Sequence, residues 1–166
     1  IDFGKNWERD LPAAILAVSE HSGADPAAGV KIRTGGLEPS SIPSPDQVAA
    51  FLTAARDADT FFKATAGLHH PFRQINAGAG APMHGFLNVF GGAVLAHALD
   101  LDPGGLREVL EEEGPGRLAF DEEGILWDGA RAGLAGIEAA RAGFAVSFGS
   151  CSFTEPVTDL ESLGLI

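Results

Sequence analysis

Three short runs of β-forming residues constrain the fold of this chain most, because each is followed by a glycine-bearing loop and then by a helical pattern. The runs cover 29–36, 60–66 and 144–148. Strands that alternate with helices are typical of parallel sheets joined by right-handed crossovers. The sequence therefore predicts an α/β fold with parallel strands and crossover helices.

The length of the chain limits which parallel fold it can complete. A (β/α)8 barrel typically needs about 200 to 250 residues, whereas this chain has 166. We expect one α/β domain over 1–166 that forms the carboxyl-terminal part of such a barrel within a longer chain. An open doubly wound sheet is the structural alternative. Helical patterns are expected at 7–22, 45–57, 84–99, 103–113, 130–142 and 157–163, with a long binding loop at 68–82 and a hairpin or irregular segment at 117–127.

Charge and cysteine content exclude several classes of partner. The formal net charge is -12, and Cys151 is the only cysteine. Nucleic acids and anionic membranes require basic surface, so neither is expected as a partner. A single cysteine cannot form an internal disulfide and is typical of the reducing cytosol. No apolar run reaches the roughly 18 residues of a membrane span, which predicts a cytoplasmic protein.

Lys63 lies in the middle of the second run, where an ammonium group is unusual. Alternation places Phe62 and Ala64 on one face of the strand and Lys63 and Thr65 on the other. We expect this strand to be mostly buried, and burying an ammonium group is unfavourable unless the group is paired or its pKa falls. The pattern makes Lys63 a candidate catalytic residue.

Lys31 occupies a similar position in the first run. If the two strands are neighbours, both ammonium groups face one cavity, and their repulsion lowers one pKa and leaves a neutral amine able to form a Schiff base. The alternative is an inward lysine that pairs with an acidic residue such as Glu155 or only holds an anion.

The loops at the carboxyl ends of the strands carry the remaining candidates, because ligands bind at that end of parallel α/β folds. Arginine side chains and the backbone N–H groups of glycines suit a phosphate. Histidines suit proton transfer. The expected catalytic residues are Lys63, Lys31, His69, His70 and His84, and the expected substrate-binding residues are Arg33, Gly35, Gly36, Thr65, Arg73, Ser147 and Glu155.

A metal-dependent hydrolase or isomerase is an alternative reading of the histidines. Imidazoles are common ligands, so His69 or His70 could join His84 at a divalent cation, with Glu155 as an oxygen ligand. No other cofactor is expected. No histidine is adjacent to Cys151 in the sequence, so its thiol is expected to be buried or incidental.

The residues Phe-Lys-Ala-Thr-Ala-Gly at 62–67 resemble the lysine strand of class I aldolases of the deoxyribose-phosphate type. The resemblance implies a lyase in which Lys63 forms the Schiff base and Lys31 is the second lysine. Over its whole length the chain is similar to an uncharacterised group of bacterial proteins that resemble the carboxyl-terminal half of a TIM-barrel enzyme. We expect an enzyme acting on a small anionic or phosphorylated carbonyl compound or sugar; the alternative is a non-catalytic anion-binding or assembly module.

A partial barrel also predicts an assembly. It would leave two sheet edges with unpaired backbone groups and an apolar inner face, which soluble proteins normally cover. We expect a homodimer, or association with a missing amino-terminal half.

Overall fold

A parallel sheet of three strands organises the computed structural model, which describes residues 3–25 and 27–166. The strands are β1 (Val30–Arg33), β2 (Phe62–Thr65), β3 (Gln74–Asn76), β4 (Ala81–Met83), β5 (Leu118–Asp121), β6 (Gly124–Trp127), β7 (Ala130–Gly133) and β8 (Ala145–Gly149). The helices are α1 (Trp7–Ser19), α2 (Pro45–Asp57), α3 (Phe86–Leu99), α4 (Pro103–Glu111), α5 (Leu134–Gly143) and α6 (Thr154–Ser162), with a 3₁₀ turn at Pro39–Ser41. The parallel sheet has the order β1-β2-β8, which confirms a mixed α/β fold with parallel strands.

The three parallel strands do not close into a barrel. In the part of the chain that the structure describes, β1 and β8 each pair with β2 alone. Two antiparallel sheets accompany them, the hairpin β3-β4 and the three-stranded β5-β6-β7. Over the same residues, no helix is both long enough and apolar enough to cross a membrane.

The alternation of β1 and β2 decides which face of the parallel sheet is buried. Val30 and Ile32 are buried and lie beside the buried Phe62 and Ala64 of the neighbouring strand. The residues between them are exposed, including Lys63. The expectation that Lys63 lies desolvated in a mostly buried strand is therefore wrong, because the helices cover only the opposite face of the sheet.

The start of α2 follows its sequence signature. Ser44 Oγ accepts a hydrogen bond from the Gln47 backbone N–H at 3.2 Å, and Gln47 Oε1 accepts one from the Ser44 backbone N–H at 2.8 Å. This reciprocal capping box satisfies backbone donors that a helix amino terminus leaves without intrahelical partners. The predicted helix 45–57 is confirmed, with Pro45 in its first turn.

Two segments differ from the sequence-based expectation. The loop expected at 68–82 contains most of the hairpin β3-β4, and the helix expected from Ala130 begins only at Leu134. Residues 130–133 instead form β7, which pairs with β6 and buries Ala132. Pairing with a neighbouring strand overrides the helical preference of alanine, which is weak beside tertiary contacts. Of the two alternatives for 117–127, a hairpin or an irregular segment, the structure has the hairpin β5-β6.

A buried asparagine joins α3 to the two segments around it. Asn88 Nδ2 donates to the carbonyl oxygens of Val109 at 2.8 Å and Glu112 at 2.9 Å. Its Oδ1 accepts from the Arg73 backbone N–H at 2.8 Å. All three partners lie on other elements, so one fully buried amide fixes the end of α4 and the loop after β2 against α3.

Replacing Asn88 with alanine is expected to lower the free energy of unfolding by about 2 kcal/mol, because buried backbone groups lose their partners. Urea unfolding measures the change. The matched control is Asn6→Ala, since Asn6 is exposed and its side chain makes no capping hydrogen bond. Equal midpoints for the two variants would show that the amide contributes nothing to stability.

Candidate functional site

The ends of β1 and β2 meet through a close backbone contact. The buried Thr34 hydroxyl donates to the Ala66 carbonyl at 2.7 Å. A Cβ atom on Gly35 would lie 2.7 Å from the Gly67 Cα, and Gly67 has a φ of +80°. A Cβ on Gly36 would lie 2.5 Å from the Ser41 Cβ. Backbone packing alone therefore requires glycine at 35 and 67, whether or not a ligand binds there. The role of Gly35 and Gly36 in phosphate binding stays a prediction.

A cationic face lies on the exposed side of the parallel sheet. Lys31 and Lys63 pair in register on neighbouring strands, and Ser147 is the partner of Lys63 on the other side. Arg33 is exposed two residues beyond Lys31. None of the three strands contains an acidic residue. The neighbouring placement of the two lysines is confirmed, and this group of residues 31, 33, 63 and 147 is called the cationic face below.

Thr65, which was predicted to contact substrate, has its hydroxyl engaged by the protein. Its Oγ1 donates to the Ile32 carbonyl at 3.3 Å across β1 and β2. The hydrogen of this hydroxyl is therefore engaged in a bond that joins β1 to β2. The exposed Arg33 lies beside Thr65.

His69 lies beside the single cysteine. Its Nε2 is 3.5 Å and its Nδ1 3.8 Å from the Cys151 Sγ. Its Nδ1 is 3.1 Å from the Ser150 Oγ and 3.9 Å from Glu155 Oε2. The imidazole is largely covered, whereas Cys151 is exposed. The cluster of residues 69, 150, 151 and 155 is called the thiol–imidazole cluster below.

His70 belongs to a different set of contacts. Its Nδ1 lies 2.6 Å from the Asp159 Oδ2, which joins the loop after β2 to α6. Both side chains line a cavity of about 170 Å³ whose wall also contains Arg73. Burial lowers the pKa of Arg73, while Glu111 and Glu113 act in the opposite direction.

His84 lies in the protein interior, with only 1% of its surface exposed. Its Nε2–H donates to the Pro43 carbonyl at 2.8 Å. Burial lowers its pKa to about 4; the Pro43 hydrogen bond opposes this shift and the Arg73 charge adds to it. Neither the Nδ1 of His84 nor the buried Nη1 of Arg73 has a hydrogen-bond partner among the described residues. His84 is therefore a neutral interior residue.

The three histidines that were expected to act together have separate partners. His69 contacts Cys151, His70 contacts Asp159 and His84 contacts Pro43. Within residues 3–25 and 27–166, no three His, Cys, Asp or Glu side chains are arranged to hold a metal ion. The metal-dependent alternative stays a prediction, and no preformed group of ligands among these residues supports it.

The sequence reasoning missed Cys151 as a partner of His69. The available signal was the pairing of strands, since Thr65 of β2 lies in register with Gly149 of β8. The loops that follow parallel neighbours emerge at the same edge of a sheet, so residues shortly after each strand meet there. Adjacency in the sequence was the wrong criterion for this pair.

Comparison with known proteins gives no relative: neither a family model, nor a curated protein, nor a solved structure matches the chain.

Proposed function

We propose that this chain is an enzyme that binds a small anionic carbonyl compound, phosphorylated or carboxylated, on the cationic face and forms an imine with it through Lys63. The observation that carries the proposal is the in-register pair of Lys31 and Lys63 on neighbouring parallel strands. A chain with a net charge of -12 would disfavour anions over most of its surface. A local face of lysine and arginine without strand carboxylates therefore supports selective anion binding.

The groups on this face suit two separate tasks. Arg33 and Lys31 hold the anionic group, because a guanidinium binds phosphate or carboxylate through paired donors. The uncharged form of the Lys63 amine attacks the carbonyl carbon, a C–N bond forms, and the carbonyl oxygen leaves as water. The imine then withdraws electrons from the adjacent carbon–carbon bond, as in a lyase of the aldolase class.

Borohydride trapping tests the imine directly. The protein is incubated with a panel of sugar phosphates and short carboxylated aldehydes, reduced, and mapped by peptide mass. We expect an irreversible adduct on Lys63 with at least one compound, and none in Lys63→Arg, which keeps the positive charge but loses the reactive amine. The control is Lys5→Arg, which should keep the adduct. Labelling of Lys5 to the same extent as Lys63 would contradict the proposal.

The alternative, a non-catalytic anion-binding module, predicts a different pattern on the same panel. Anions would raise the thermal unfolding temperature, and Arg33→Gln would remove that rise, while no compound would be trapped or turned over. Both the enzyme and the binding module would bind anions, so only the covalent adduct on Lys63 distinguishes the two functions.

The sheet edges favour a further proposal about assembly. In the part of the chain described by the structure, β1 and β8 are edge strands, and exposed edges invite pairing with other strands. We propose that the sheet continues toward a barrel by pairing with a second copy, or with an amino-terminal half where the full-length protein supplies one. Light scattering at micromolar concentration is expected to give the mass of a homodimer. A stable monomer would rule out this arrangement for the isolated chain.

A further inference from the structure

We propose that Cys151 is a nucleophilic thiol for acyl transfer, with His69 as its general base. The proposal goes beyond the imine chemistry and does not depend on Lys63. It rests on a nucleophile, a base and groups that orient the base, which are brought together from the loop after β2, the loop after β8 and the start of α6. Such a set within hydrogen-bonding reach is the arrangement that nucleophilic catalysis requires.

The hydrogen bonds around Ser150 assign the proton on the His69 ring. The Ser150 hydroxyl donates its hydrogen to the Ser152 carbonyl at 2.9 Å. Its oxygen is then an acceptor for His69 Nδ1 at 3.1 Å, so Nδ1 carries the proton and donates it. Nε2 is then the ring nitrogen with the free lone pair, and it is also the one nearer the Cys151 Sγ, at 3.5 Å against 3.8 Å for Nδ1. This tautomer is the one that can take the thiol proton.

Glu155 is placed to stabilise the charge that follows. Its carboxylate lies 3.9 Å from His69 Nδ1, the ring nitrogen that carries the proton. When Nε2 takes the proton from sulfur, the ring becomes an imidazolium, and a nearby carboxylate favours the charged form. Glu155 is thus a positioning residue that acts through His69. The hydrogen bond from Nδ1 to Ser150 orients the base, a task that the third member of a catalytic triad performs elsewhere, and Glu155 supplies the negative charge.

The single cysteine favours acyl transfer over redox chemistry. A disulfide-exchange cycle normally uses a second, resolving cysteine, and this chain has only Cys151. Acyl transfer needs only a proton carrier. The thiolate attacks the carbonyl carbon of an ester, the S–C bond forms, the C–O bond breaks, and the leaving alcohol takes the proton from His69. Water then attacks the thioester carbonyl carbon and gives up a proton to His69; a C–O bond forms, the C–S bond breaks, and the acid leaves while the sulfur takes the proton back from His69.

Access to the sulfur supports an external substrate. Cys151 is exposed, so it is open to a ligand from solvent. Phe153, two residues along the same loop, is 92% exposed. The loop therefore offers an exposed sulfur and, two residues away in the sequence, an exposed aromatic side chain, which suits a small ester or thioester with an apolar acyl group.

Alkylation by iodoacetamide tests the base. At about pH 6.5 an ordinary thiol is mostly protonated, so the wild-type protein should react about tenfold faster than His69→Gln. At about pH 10 hydroxide removes the thiol proton without a base, and the two rates should converge. His21→Gln is the matched control, because His21 is an exposed histidine remote in sequence from the cluster. Equal rates for wild type and His69→Gln at the lower pH would overturn the proposal.

Acylation tests the reaction class. With p-nitrophenyl acetate, intact mass and peptide mapping should show one acetyl group on Cys151, and the thioester should then hydrolyse. Cys151→Ser should show neither acetylation nor thioester hydrolysis, and Glu155→Gln should be acylated several-fold more slowly. His21→Gln should behave like the wild-type protein. Thermal unfolding of each variant confirms that it is folded. An unacylated Cys151 despite rapid alkylation would rule out acyl transfer. Acylation is detected on the Cys151 sulfur, whereas borohydride trapping detects a modified lysine amine. The acyl-transfer proposal and the imine proposal can therefore fail independently of each other.

Discussion

Replacing Phe62 with alanine is expected to lower the free energy of unfolding by about 3 to 5 kcal/mol, the largest effect of any single change considered for this protein. Phe62 has no exposed surface. Its ring centroid lies 5.6 Å from that of Phe51, 5.8 Å from Phe90 and 5.1 Å from Phe144. These rings come from α2, α3 and the residue before β8, so the cavity would open where the sheet and two helices meet and could not collapse easily.

Urea unfolding followed by circular dichroism measures this loss. Phe153→Ala is the matched control, because it deletes the same atoms from a side chain that is 92% exposed and should change the free energy by less than about 0.5 kcal/mol. Similar unfolding midpoints for the two variants would show that the cluster around Phe62 does not hold the sheet to its helices.

Acidification is expected to destabilise the folded state through His84, by about 3 kcal/mol between about pH 7.5 and about pH 4. The pKa of His84 is about 4 in the folded protein and about 6.5 in an unfolded chain. As the pH falls below the unfolded value, the unfolded state takes up a proton that the folded state does not, and the unfolded state gains stability. The loss therefore begins near the unfolded pKa and is complete below the folded one.

The comparison of variants isolates His84 from the acidic residues that also titrate in this range. The free energy of unfolding is measured against pH for wild type, His84→Gln and His21→Gln. His84→Gln should have a lower stability near neutral pH and a shallower decline below about pH 6.5. His21→Gln should keep the wild-type slope, because His21 is exposed. Parallel curves for wild type and His84→Gln would contradict a buried neutral His84.

Direct observation of the ring provides a second check on the same group. The His84 ring protons followed by NMR should not titrate until the pH approaches the folded value of about 4. Titration with a midpoint near 6.5 would show that the imidazole is hydrated.

Local patterns were sufficient to predict much of the secondary structure. The capping box at Ser44 and Gln47 identified the start of α2, since both partners lie within four residues of one another. Alternation correctly separated Val30 and Ile32 from Lys31, because successive side chains of a strand point to opposite faces. These patterns depend on residues close together in the sequence, so they predict the folded structure correctly unless contacts with a neighbouring element override them.

Tertiary structure decided what surrounds each of these residues. Alternation placed Lys63 opposite Phe62 but could not say which face the helices would cover, and the structure leaves the lysine exposed. Ala130 was assigned to a helix from its propensity, but pairing with β6 made it a strand residue. In both cases the deciding contacts join residues far apart in the sequence.

The thiol–imidazole cluster shows the same division most clearly. His69 was a candidate from its own segment and Cys151 was not, and no local pattern connects them. They meet because β2 and β8 are parallel neighbours, which brings the loops at their carboxyl ends together. The sequence by itself determined the three parallel strands, most of the helices and the alternation that places Lys31 and Lys63 opposite the buried residues, because these follow from short-range periodicity and capping. Only the tertiary structure decided that His84 is buried, that Lys63 is exposed and that His69 contacts Cys151, because burial and proximity depend on how the elements pack.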